Sequence, residues 1–440
     1  MRLLVEGETR SEPEWLHTLG VTVDEFSHLL SDGAFRRTAS GSVTNDFVGM
    51  AATSRELLVS LPKFLRATPG GQQTMPVVLA ALAEYWRNED GHAVSADSLR
   101  ELHFRAPDLY REYEVYLGLR AYYQDLGAYR PSVPSETRSS NRPVHWPKTL
   151  GRAVALHSGG STHFEPWVHV GPRLVENEVT TLQRSVLRDL VLKYEFEGSV
   201  AAQRLQLAGT DLLDGDHLRA HSARHATRVR AERGRAFRSD SVAMLSNLAA
   251  YFDLRERLGG RAGAVVMHGT ASFHAVWEAA CRAVVGAHAS LHKRLAQPRW
   301  CFGQDAVTTR LEPPGQRPDI LVSIKGRDLI VDAKYYYPLP DKLCGWPDLV
   351  KQFVYALSYA PRPGVGITNA LLFPDSSTLG VRALGFIDMV HDGRRDTKFA
   401  PIAVVAADAV AVLAAYAPGQ QLGGWAERIL AEHDRVVGWS

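Results

Sequence analysis

The stretch Pro318-Asp319-Ile320-Leu321-Val322-Ser323-Ile324-Lys325-Gly326-Arg327-Asp328-Leu329-Ile330-Val331-Asp332-Ala333-Lys334 decides how the chain is read. Two apolar runs flank Lys325-Gly326, and glycine there suits the positive φ of a tight hairpin turn. With Lys325-Gly326 as a two-residue turn, Asp319 lies opposite Asp332; with a four-residue loop it lies opposite Lys334. Either register brings both carboxylates to the open end of the hairpin. Side chains alternate along a strand, so Asp332 and Lys334 project together while Val331 and Ala333 face the other way. Buried charge needs a partner or a metal, so this end of the hairpin asks for a cation. Two Asp carboxylates can hold Mg2+, or Mn2+ in its place, through oxygen ligands. Such a metal polarises a phosphoryl oxygen and acidifies its water. Lys334 beside it can orient or deprotonate that water and stabilise developing charge. This is the logic of hydrolytic phosphodiester cleavage; the competing reading is a surface hairpin with an Asp–Lys pair.

Working outward, residues 272–291 have helical spacing, and strands are expected near 300–302, 319–324 and 329–335. A helix over about 347–359 precedes strands at 370–373, 381–389 and 402–405, and a helix over 425–433 follows. Residues 401–417 read as strand then buried helix. This order predicts a mixed α/β architecture, a central sheet with flanking helices. Near the start, residues 14–30 have helical spacing. Residues 46–50 and 57–61 flank Ser54-Arg55-Glu56 as a β-hairpin ending at Pro62-Lys63. Residues 74–130 are helical by period, residues 131–147 hold four prolines and read as a loop or linker, and residues 176–256 are again mostly helical. The expected division is therefore an N-terminal β-hairpin module over 1–70, a helical middle over 71–258 and a sheet domain over 259–440.

Within the middle segment, residues 217–238 carry seven arginines. They are either a solvated helix face or an arm for phosphate, with Arg224, Arg228, Arg230 and Arg235 as candidate DNA contacts. His217, His221 and His225 share a helix face, and a metal there would need further ligands.

The 440 residues are 45% hydrophobic and 22% charged, which fits two or three soluble globular domains and excludes wholesale disorder. A net charge of +2 excludes neither nucleic acid nor acidic partners. The three cysteines form no C-x-x-C pair, so a zinc site or disulfide scaffold is not expected and a reduced, cytoplasmic setting fits. No apolar run suits a signal peptide or a membrane span, so no membrane partner is expected.

Pro318-Asp319, Asp332-Ala333-Lys334, the upstream Trp277-Glu278 and the downstream Asp348-Leu349-Val350-Lys351-Gln352-Phe353-Val354-Tyr355 resemble the PD-(D/E)xK nuclease superfamily. Within it the chain is similar to the LlaJI type of restriction endonuclease, related to the McrC nuclease subunit. Asn45-Asp46-Phe47-Val48-Gly49 with Leu58-Val59-Ser60-Leu61-Pro62-Lys63 is similar to that family's N-terminal strand pair, and Trp146-Pro147-Lys148-Thr149 to its central motif. The resemblance implies a C-terminal restriction-endonuclease-like core. It implies metal-binding acids at Asp319 and Asp332, with Glu278 extending the metal shell, a catalytic Lys334, and a Gln352 that contacts the site. Tyr follows Gln352 by three residues, not the four of the RecB-type pattern. The resemblance further implies double-stranded DNA as substrate and an McrB-like AAA+ GTPase or ATPase subunit as partner; a homodimer or higher assembly is left open. In agreement, the chain has no G-x-x-x-x-G-K-[ST] phosphate loop. Residues 1–70 are then expected to dock the partner and to be separable from the nuclease core. Two other functions compete: a non-catalytic DNA-binding adaptor on a nuclease-like scaffold, and a structure-specific DNA repair nuclease. The intact acid, acid, lysine set argues against the first.

Overall fold

A computed structural model describes residues 1–53, 57–65, 71–90, 103–137, 144–152, 154–165, 168–195, 197–258, 265–296, 317–338, 343–417 and 423–438. The chain divides into two compact units. One is Ala106–Ala264; the other joins Arg2–Arg105 to Val265–Ser440.

The joined unit contains two five-stranded sheets. The first runs Arg2–Val5, Leu57–Leu61, Val48–Ala52, Val266–Thr270, His103–Phe104, with only the first pair parallel. The hairpin expected around 46–61 is present as Val48–Ala52 on Leu57–Leu61. Its other neighbour is Val266–Thr270, which follows more than two hundred residues later in the sequence, with Gly49 opposite Gly269. The two backbones are so close there that a Cβ on Gly269 would lie 2.2 Å from the Val48 carbonyl oxygen and 2.5 Å from the Phe47 ring. Only glycine tolerates that approach. Asn45 is fully buried and stitches the same sheet: its amide donates to the Val5 carbonyl (3.0 Å) and to Ser60 Oγ (2.8 Å). The motif Asn45–Gly49 with Ser60 is thus a structural lock. Through Val48–Ala52 the strands of residues 1–70 share a sheet, and one compact unit, with Val266–Thr270.

The helical stretch expected over 14–30 is two helices, Glu12–Leu19 and Val23–Ser31. Gly20 at φ 64° ends the first, and Thr22 caps the second by accepting from the Glu25 backbone while Glu25 reaches back to it.

The second sheet has the order Ile320–Ile324, Arg327–Ala333, Gly366–Asp375, Ile402–Asp408, Val381–Ile387. The three central strands are parallel and the two edges antiparallel. Central parallel strands are covered on both faces and read as unbroken apolar runs; Leu371, Leu372 and Phe373 are fully buried accordingly. Helix Trp346–Ser358 covers part of one face, where Ala356 and Tyr359 pack with Leu321, Ile330, Leu291 and Leu295. Helix Trp425–Val437 lies against Val381–Ile387 and Ile402–Asp408. The mixed α/β class is as expected, and the strand expected near 300–302 lies outside the described residues.

The unit Ala106–Ala264 is mainly helical, as the sequence predicts, but part of the proline-rich stretch is not loop. Ser132–Thr137 pairs antiparallel with His169–Leu174, placing Pro134 opposite Pro172. A two-stranded ribbon leaves one side of each strand without ladder bonds, so proline is tolerated there. Helices Pro107–Leu126, Glu178–Tyr194 and Ser239–Leu258 meet at a buried charge network. Glu112, with no solvent exposure, accepts from Lys193 Nζ at 2.8 Å and lies 3.8 Å from Arg255. Arg255 also pairs with Asp189, which accepts from the Tyr251 hydroxyl at 2.7 Å. Removing one member of such a network strands the remaining charge. Glu112→Ala is expected to cost roughly 3 kcal/mol, the low end for a buried pair because Lys193 and Arg255 keep some contact with water. Denaturant unfolding should show it, and a loss below about 0.5 kcal/mol would mean that the network is neutral.

In helix Ser222–Arg233, His225, Ala226 and Val229 are buried and the arginines line the other side. Arg228 pairs with Glu178 at 2.9 Å, and Arg230 makes a two-point contact to Asp253 at 2.6 and 2.7 Å. Arg224 and Arg235 are exposed and have no ion pair among the described residues. His217, His221 and His225 stand close, with ring centroids 4.7 Å apart for the first two and 6.1 Å for the last two. Burial against Phe252 pushes the His225 imidazole down from its ordinary pKa.

Candidate active site

The hairpin that opened the sequence reading closes through Lys325 and Gly326, at φ 47° and 73°. Positive φ at both central residues matches the strand twist. The two-residue turn sets the register: Ile324 pairs with Arg327 and Ile320 with Val331. Asp319 therefore falls opposite Asp332, and the four-residue alternative is not adopted. Asp319 bends back over the strand end, its Oδ2 accepting from the Ala333 backbone N–H at 2.8 Å. Its carboxyl also stands close to that of Asp332.

Glu278 approaches from helix Phe273–Val285, whose inward face is Phe273, Val276, Trp277, Ala280 and Cys281. It is half-buried, and burial followed by the Asp332 charge pushes its carboxyl up, tempered by Arg282 and Lys334. Asp319 is pushed up to about 8, first by burial and then by the charges of Asp332 and Glu278. Three carboxyl groups thus crowd one strand end, and their mutual repulsion strengthens the hold of the Asp319 carboxyl on its proton.

Lys334 closes the cluster. Its ammonium lies 2.6 Å from Asp332 Oδ2 and donates to Asp348 Oδ1 at 2.9 Å. Burial alone would lower the Lys334 pKa, but the hydrogen bonds and charges of Asp332 and Asp348 outweigh it and raise it. Asp348 has no role assigned from sequence. It stands at the start of helix Trp346–Ser358, just after Pro347, and an acid there reads as a helix-start signal. Arg282 is a second addition: its Nε donates to the Asp319 carbonyl at 3.0 Å and holds the strand end in place.

Gln352 does not join the carboxylates. It is fully buried, and its amide donates to Asn369 Oδ1 at 2.7 Å and to the Ala370 carbonyl at 2.9 Å. It ties the helix to the sheet beneath the site. Asp319, Asp332, Lys334 and Glu278 are brought together, whereas the Arg224, Arg228, Arg230 and Arg235 set belongs to the other unit.

Among the described residues, no group of three His, Cys, Asp or Glu side chains is arranged to hold a metal ion by itself. A hard cation can be held by two carboxylates together with water and a substrate phosphate. The carboxyl groups crowded at this strand end, with Asp319 and Glu278 both pushed up, fit such a cation.

The family model described as LlaJI restriction endonuclease matches residues 47–409. The chain is 23% identical over 372 residues to a protein of Bacillus subtilis (strain 168) described as "Type II restriction enzyme BsuMI component YdjA", covering 82% of this chain and 79% of that one. Among solved structures it is similar to a chain of the refined half-complex from the tetradecameric assembly of Thermococcus gammatolerans McrB AAA+ hexamers with bound McrC. That match has 16% identity over 94% of this chain and 99% of the other, with a TM-score of 0.31, a likeness too slight to bear on fold or partners. No described helix is long and apolar enough to cross a membrane.

Proposed function

From the premise that the chain belongs to the LlaJI restriction endonuclease family, we propose that it is a Mg2+-dependent endonuclease of the PD-(D/E)xK type. It would cut double-stranded DNA in a restriction system that defends against phage. The observation that carries this reading is the cluster of Asp319, Asp332 and Lys334 at one strand end, with Glu278 beside it. Asp319 and Asp332 would hold Mg2+, or Mn2+ in its place, with Glu278 extending the shell. The bound ion supplies a Lewis acid for the phosphoryl oxygen and acidifies the attacking water. Lys334 orients that water and stabilises the charge that builds up on phosphorus-bound oxygens. The contacts with Asp332 and Asp348 favour its ammonium form. Asp348 keeps its Nζ aimed at Asp332. Cutting of supercoiled plasmid with Mg2+, abolished by a chelator and restored by Mn2+, tests the reading; cutting that survives chelation refutes it.

A separate AAA+ GTPase or ATPase would supply the motor, since this sequence carries no phosphate loop of its own. Residues 1–70 would take part in docking it. DNA backbone contact would fall to Arg224 and Arg235, because Arg228 and Arg230 are already paired with Glu178 and Asp253. Each phosphate contact contributes about 0.9 to the salt slope of binding. The double variant Arg224→Gln/Arg235→Gln is expected to flatten that slope by about 2 on any duplex sequence. An unchanged slope in binding titrations across salt concentrations would leave these arginines as a solvated face.

A further inference from the structure

Strand Arg327–Ala333 ends one residue before Lys334, so the lysine starts where the ladder stops. A long flexible side chain at such a point needs a fixed backbone if its charge is to stay on target. On one side the Lys334 N–H donates to the Leu372 carbonyl at 2.8 Å. On the other, the next residue, Tyr335, is gripped from the beginning of the chain. The buried Tyr335 hydroxyl donates to Glu6 Oε2, which also accepts from the Lys63 backbone N–H at 3.3 Å. Lys63 Nζ lies 4.2 Å above the Tyr335 ring centroid, a cation–π contact. Phe64 meets the same ring edge-on at 5.7 Å and also touches Trp277 at 5.9 Å, next to Glu278. Phe273, from the helix that carries Glu278, packs on Tyr335 at 5.7 Å.

We propose that Tyr335, held by Glu6, Lys63 and Phe64, is a positioning residue that sets Lys334 and, through Phe64, the helix of Glu278. The N-terminal strands are then part of the active-site scaffold, and anything that pulls on residues 1–65 pulls on the catalytic lysine. The kinetic part of this proposal rests on the nuclease reading; the geometric part does not.

The test uses the full chain with Tyr335→Phe, which deletes one hydroxyl and keeps the ring, and Glu6→Gln, which keeps the shape of the acceptor. An amine-acylating reagent is applied, and modification of Lys334 is followed by peptide mass spectrometry, with the exposed Lys351 as internal control. Both variants should raise the Lys334 rate about fivefold while Lys351 is unchanged. In cleavage assays with Mg2+, kcat should fall about tenfold with KM unmoved, the scale of one lost positioning hydrogen bond, while the melting temperature falls by no more than a few degrees. Unchanged Lys334 labelling in both variants overturns the proposal. So does a loss of protection that comes only with a lower melting temperature and a higher KM, which a merely structural bond would give. A wild-type chain that cuts no DNA removes the nuclease reading instead, and the labelling still decides whether the grip on Lys334 exists.

Discussion

Lys334→Ala is expected to bind duplex DNA like the unaltered chain and to cut it 10²–10³-fold more slowly, the usual loss when one preorganised electrostatic contact to a transition state goes. Lys334 makes two charge-assisted contacts, to Asp332 and Asp348, which fix its ammonium at the cluster rather than in solvent. Asp332→Ala is expected to lose as much, because it removes a carboxylate that both orients Lys334 and faces Asp319. Single-turnover cleavage and filter binding on the same preparations separate the two steps. Wild-type cutting by either variant would remove these residues from the chemistry. Lys334→Arg keeps the charge but not the compact donor, so it is expected to rescue little.

Metal affinity is expected to climb about tenfold per pH unit toward pH 8 and then level off. Asp319 holds its proton up to about pH 8 because burial and the neighbouring carboxylates disfavour its charge. A divalent ion must displace that proton before using the oxygen. Without metal, a carboxyl raised above its unfolded value stabilises the fold fully only below about pH 3.8, and that contribution is lost as pH rises toward 8. Stabilisation by added Mg2+ or Mn2+ should therefore be largest near pH 8. Mn2+ titration between about pH 6 and 9, read by electron paramagnetic resonance, measures the slope. Asp319→Asn should abolish it, and a flat profile in the unaltered chain would mean that no shared carboxyl proton is released.

The hairpin was legible because its signals are local. Apolar alternation and glycine at the turn bring both acids to the open end of the hairpin without knowledge of the rest of the chain, while the choice between Asp332 and Lys334 as the residue facing Asp319 needed the two-residue turn to be seen. The parallel strands around Leu371 and Ala403 were legible for the same reason, as short apolar runs between turn signals. The sheet that joins Val48–Ala52 to Val266–Thr270 was not, because strand pairing across more than two hundred residues leaves no periodicity in either segment. Hence the division at 70 and 258 fell where composition changes, while the contacts divide the chain near 105 and 265. Asp348 was hidden behind its position at a helix start, and Gln352 showed a helix-to-strand tie where the family resemblance suggested a site contact. The arginines could be counted from sequence; which of them were already paired required Glu178 and Asp253 to be placed.

The discontinuous unit has a consequence for synthesis. Strand Val48–Ala52 leaves the ribosome 214 residues ahead of its neighbour Val266–Thr270. At 5–20 residues per second, that is a wait of roughly 10–40 s with an unpaired sheet edge. During this interval the compact unit Ala106–Ala264 emerges whole. Asp319, Asp332 and Lys334 emerge later still, and Tyr335 then finds Glu6, Lys63 and Phe64 already made. A nascent chain that stops before Tyr335 therefore lacks Lys334 or the grip upon it, and the proposed site is not complete in it.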